Sequence, residues 1–224
     1  MDSFLFAFFL FITAILILYV VSRYMLTELF HFLHLFIRRR DVIFSTIAVI
    51  FLPGTILHEI SHYIVATVLR LQVGEVHIMP TWKENNLQLG RVTYKKADAM
   101  RSIAVGVAPF FGALFFFWFV GAFYLFPHTH IIITLIFGYL LFSVSANMFS
   151  SRQDLVDLIY VIPLCLITGT VLYITNIKIS VAFPEVWLQN TADLLQRINI
   201  YITISVAIHI IMILVFKSLK LFRR

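Results

Sequence analysis

Three ionisable side chains, His58, Glu59 and His62, stand within the apolar stretch 51–65, FLPGTILHEISHYIV, in an HExxH pattern. On a helix, positions four apart share a face. The two imidazoles can therefore converge on one zinc ion, while Glu59 beside them reaches the water that such an ion binds. Two jobs are provided for, metal binding and general-base catalysis. With 8 His in 224 residues, a chance match is expected in roughly 0.006 chains. The bland alternative is a set of hydrogen-bonded polar residues packed inside a membrane helix. It would place three ionisable groups within five positions in lipid, which is costly without a function.

The surroundings of the motif set the elements that must position it. The chain is 61% hydrophobic and 12% charged, with a mean hydropathy of +0.97, against about 25% charged residues in soluble domains. An all-α polytopic membrane protein is expected. Spans of about 20 residues with connections give roughly six transmembrane helices in a single domain, residues 1–224, with a zinc-binding core over 42–175. The net charge of +6 sits in short basic segments beside apolar runs, so anionic headgroups of the bilayer account for it and no nucleic-acid partner is expected. Cys165 is the one cysteine, which excludes an intrachain disulfide and a cysteine-rich zinc site.

In order, residues 3–22 read as a retained first span and 24–37 as an interfacial amphipathic helix closed by Arg38, Arg39 and Arg40. Within it, His31 and His34 share a face but have no acidic neighbour to complete a metal site. Residues 42–71 form the second span, with Pro53-Gly54 one turn before the motif, where they bend the helix or free backbone groups. Segments 74–79 and 89–94 alternate polar and apolar residues around a turn-rich link, which predicts a small β-hairpin carrying His77 as a surface residue. Span three is 101–126, whose Gly106, Pro109 and Gly112 read as packing residues. The link 127–130 contains His128 and His130, and span four is 131–147. A polar segment, 147–157, then supplies Asp154 and Asp157 as donors of a third zinc ligand. Residues 158–175 are span five, 176–197 a polar-aromatic loop, and 198–216 span six, with His209 a packed polar residue.

From Pro53 to Asp157 these features resemble the site-2 protease type of intramembrane zinc metalloprotease. The shared features are HEISH in a span, a following hairpin, a Gly/Pro-containing span and a later Asn-plus-Asp segment. The resemblance implies that Asp154 completes the zinc site with His58 and His62. The usual NxxPxxxLDG pattern is altered here: Ser150 stands where Pro is usual and Asp154 comes one residue early, so Asp157 stays open as the ligand. It implies a zinc metalloendopeptidase whose substrate is a membrane protein or peptide, with Glu59 as catalytic base and Asn147 placed to position substrate or stabilise the oxyanion.

The chemistry also follows from the residues alone. Two imidazoles and one carboxylate leave a fourth position on zinc for water, and a neighbouring carboxylate then specifies amide hydrolysis. A substrate helix must unwind first, and the hairpin edge could receive the extended segment. A zinc-binding transporter or a non-catalytic membrane scaffold is the alternative, distinguished by whether Glu59 is needed. Six alternating spans with the C-terminus in the cytoplasm of a cell-membrane protein leave Arg38–Arg40 outside, against the positive-inside tendency.

Overall fold

A computed structural model of the protein describes residues 2–77, 81–83, 86–88, 91–94, 98–149 and 185–221. It is mostly helical. Three of the described helices are long and apolar enough to cross a membrane, or four if one bent pair counts as a span. These helices mark a membrane protein.

Helix α1 (Asp2–His34) has 33 residues and no internal Gly or Pro, so nothing interrupts it at the point where a span was expected to give way to an interfacial helix. At 1.5 Å per residue its length is about 50 Å, well beyond a hydrocarbon core of about 30 Å. The last helix, α6 (Glu185–Leu221), is likewise continuous over 37 residues. It absorbs residues 185–197, expected as loop: their Gln, Asn and Arg are polar but compatible with a helix, and no Gly or Pro breaks them.

The second apolar stretch is two helices, α2 (Arg40–Ile50) and α3 (Leu52–Val68), bent by 70° at the break. The bend falls at Phe51, two residues before Pro53, where the missing proline N–H belongs to the first turn of the new helix and costs nothing. Four short strands follow. Strand β1 (Val73–His77) pairs antiparallel with β4 (Arg91–Tyr94), and β2 (Thr81–Lys83) with β3 (Asn86–Gln88). The link expected to be a turn thus carries its own strand pair. Helices α4 (Ala99–Ala122) and α5 (Ile131–Asn147) complete the described elements.

Cross-helix contacts fix the directions. Asn199 Nδ2 donates to Ala7 O at 3.1 Å and Lys220 pairs with Glu28, both across 192 residues, a constant separation that only parallel helices give. Gly54 N donates to Ser143 Oγ at 2.9 Å and His58 Nδ1 lies 3.0 Å from Asn147 O, both across 89 residues, so α3 and α5 are parallel. Tyr201 reaches Phe126 O and His209 reaches Ser145, which makes α5 parallel to α6 as well. Only α4 opposes them: Ser61 meets Gly112, His62 meets Val105 and Leu69 meets Arg101.

Six strictly alternating spans are not seen among the described residues: three helices, or four apolar segments if the bent α2–α3 pair is counted as one span, are long enough to cross. Arg38–Arg40 were expected on the side opposite Lys217 and Lys220. They lie beyond the C-terminal end of α1, on the same side as Lys217 and Lys220 of the parallel α6, where Lys217 Nζ stands 5.0 Å from the Tyr24 ring. The expected fifth span, 158–175, lies outside the described residues.

The main apolar core joins α1, α4, α5 and α6 through Leu18, Phe117, Val120, Leu141 and Ile202. A second cluster packs Phe51 at the bend against Met25, Leu29, Phe142 and Phe216. Between them these clusters hold the bend of α3 against the end of α5.

Candidate metal centre

On α3 the buried residues are Gly54, Thr55, His58, Glu59, Ser61, His62 and Ala66, whereas Ile60, Tyr63, Ile64 and Val68 are exposed. In a soluble helix the apolar stripe would face inward. Here the small and polar stripe faces the protein, and the apolar face is left for lipid. His58, Glu59 and His62 are at most 9% exposed.

The two histidines are oriented by backbone carbonyls on two other helices. His58 Nδ1 lies 3.0 Å from Asn147 O at the end of α5, and His62 Nδ1 lies 2.8 Å from Val105 O within α4. A carbonyl can only accept, so both rings carry their proton on Nδ1 and present Nε2 as a lone pair. The two Nε2 atoms are 3.2 Å apart, with the rings at 82°. Two acceptors this close repel unless they share a cation, either a proton or a metal.

Zinc fits the donor set. Nitrogens held at about 2.0–2.1 Å around a tetrahedral ion are separated by about 3.3 Å, close to the observed spacing. Nδ1–H donated to a carbonyl is also the usual way in which a protein fixes the tautomer and aim of a zinc-binding histidine. His58 and His62 would hold the ion. Among the described residues no group of three His, Cys, Asp or Glu side chains converges. Asp154 and Asp157, the expected sources of a third ligand, lie outside the described residues.

Asn147 has a different part from the one expected. Its Nδ2 donates to Ser143 O at 2.9 Å and to Phe51 O at 3.3 Å, while Thr55 Oγ1 lies 3.1 Å from Phe51 O and 3.4 Å from Asn147 Oδ1. The side chain is thereby committed to joining α5 to the bend. Its main-chain carbonyl, one of the orphan acceptors at a helix C-terminus, is what His58 uses.

Two close approaches make the joint. A Cβ on Gly54 would lie 2.2 Å from Ser143 O, and one on Gly112 would lie 2.1 Å from Ser61 Oγ. At Gly54 the atoms met are backbone, so only glycine lets α5 come this near to α3; at Gly112 the close contact is with the Ser61 side chain. Sequence reasoning missed Val105 and the carbonyl of Asn147, because main-chain acceptors carry no side-chain signature.

Among the described residues, His31, His34, His128, His130 and His209 do not join the site. His31 and His34 are exposed on α1 beside Phe30, and His128 and His130 stack on each other at 5.6 Å in the α4–α5 link. His209 is fully buried on α6, with Nε2 2.9 Å from Ser145 Oγ and no partner for Nδ1 among the described residues. The side chain of His77 lies outside the described residues.

No protein-family model, curated protein or solved structure matches the chain.

Proposed function

We propose that this chain is an intramembrane zinc metalloendopeptidase that hydrolyses peptide bonds of membrane-embedded substrates. One observation carries the reading: two buried imidazoles, each with Nδ1 committed to a carbonyl, present their Nε2 atoms 3.2 Å apart, and the residue that follows His58 in the same helix is a buried glutamate. A purely structural histidine pair has no need of such an arrangement. A site that only stored or passed a cation would have no use for Glu59 beside it.

His58 and His62 supply two neutral nitrogen ligands, and Asp154 is proposed as the third, with Asp157 as its competitor. Zinc, when bound, supplies the Lewis acidity that activates water and polarises the scissile carbonyl. Glu59 accepts the proton from water as it attacks and then delivers it to the leaving amine. The surrounding helices exclude bulk water and so strengthen each of these electrostatic interactions. We read the bent α2–α3 pair as re-entrant, carrying the motif into the membrane from the side that also holds Arg38–Arg40 and the end of α6. By the positive-inside tendency we assign that side to the cytoplasm.

The test is cleavage of a single-span substrate by the purified protein in detergent. Glu59→Gln keeps the shape and hydrogen bonding of the side chain but cannot accept the proton. Zinc content should be unchanged, and cleavage should fall by roughly a hundred- to ten-thousand-fold. If the variant cleaves as fast as the wild type, the proposed mechanism is wrong.

A further inference from the structure

Val105 is fully buried in α4, and its carbonyl lies four residues before Pro109, inside the same helix. In an uninterrupted helix that carbonyl would bond the N–H of residue 109. Proline has no N–H, and its ring pushes against the carbonyl four residues back. A buried carbonyl without a donor is costly. Here the donor is His62 Nδ1, 2.8 Å away on the neighbouring helix.

We infer that Pro109 is a positioning residue for His62: by withholding the amide that Val105 O would otherwise bond, it makes that carbonyl depend on His62 Nδ1–H and so fixes which nitrogen His62 turns towards His58. This rests on the zinc reading above. The dependence is mutual. His62 needs an acceptor to hold its Nδ1–H tautomer, and Val105 needs a donor to replace the lost helical one. Gly112, three residues further along α4, sits directly against Ser61 beside His62 and lets the two helices approach closely enough for the bond.

Position 109 therefore carries opposite expectations for stability and for metal binding. Alanine is far better than proline inside a helix, so a residue serving only the fold of α4 would leave metal binding unchanged on replacement. A positioning residue would weaken it even though the helix gains a hydrogen bond. The experiment titrates Co2+, as a visible-absorbing stand-in for Zn2+, into the full-length wild type, Pro109→Ala and Pro109→Gly, and melts each protein in the same detergent. Both variants restore an N–H that competes for Val105 O, so if either fails to fold the other still reports.

The expected result is a melting temperature for Pro109→Ala equal to or above that of the wild type. Cobalt affinity should drop ten- to a hundredfold, the usual effect of losing a group that orients a metal ligand, with an altered visible band. Unchanged affinity and an unchanged band in a folded variant, with the wild type binding normally, would overturn the role of Pro109 and leave the zinc reading standing. A wild type that takes up no cobalt would overturn both.

Discussion

Gly54→Ala strikes the joint between the bend and the end of α5, and its cost follows from the geometry there. The added Cβ would meet Ser143 O at 2.2 Å, Asn147 Nδ2 at 2.6 Å and Ser143 C at 2.6 Å. Two of these are main-chain atoms of a helix and cannot rotate away. To reach ordinary contact, α3 and α5 must separate by at least about 1 Å. That shift stretches the 2.9 Å bond from Gly54 N to Ser143 Oγ and the 3.0 Å bond from His58 to Asn147 O beyond useful range. Overpacking costs about 1–3 kcal/mol and each of the two lost bonds about 0.5–1.5 kcal/mol, giving roughly 2–6 kcal/mol in all. Because one of those bonds aims His58, zinc affinity should fall with stability. Thermal melting in detergent and zinc per chain are the readouts. Gly138→Ala serves as the control, since its Cβ would meet only the edge of the Phe126 ring, at 3.1 Å. If Gly54→Ala melts and binds zinc like the wild type, the close approach of α3 and α5 is not what holds the site.

Two further changes probe the segment after α5. Asp154→Ala should reduce bound zinc far more than Asp157→Ala; the reverse ranking in metal analysis would assign the ligand to Asp157. Arg23 donates to Phe149 O and lies 5.8 Å from the Tyr19 ring, which in turn meets the Phe149 ring edge-on at 5.3 Å. Arg23→Ala should cost about 1–3 kcal/mol of stability, as expected for a hydrogen bond from a charged donor, and an unchanged melting temperature would show that α1 does not anchor the end of α5.

The motif itself was legible because its chemistry resides in side chains at helical spacing, and the break before it because Pro53-Gly54 announces a bend. The elements that aim the histidines were not. Val105 and Asn147 act through main-chain oxygens, and the only trace of the first is a proline four residues later, which reads equally well as a packing residue. Direction was also hidden. Hydropathy counts apolar segments, but the parallel courses of α1 with α6 and of α3 with α5 depend on pairings such as Asn199 with Ala7 and Gly54 with Ser143.

The most direct test is zinc K-edge X-ray absorption on the purified full-length protein, combined with metal analysis. One zinc per chain is expected, with two imidazole nitrogens at about 2.0–2.1 Å that are lost together with the metal when His58 and His62 are both replaced by Ala. Absence of stoichiometric zinc from the wild type after metal supplementation, or full retention of it in the double variant, would contradict the assignment of these two histidines as the metal ligands.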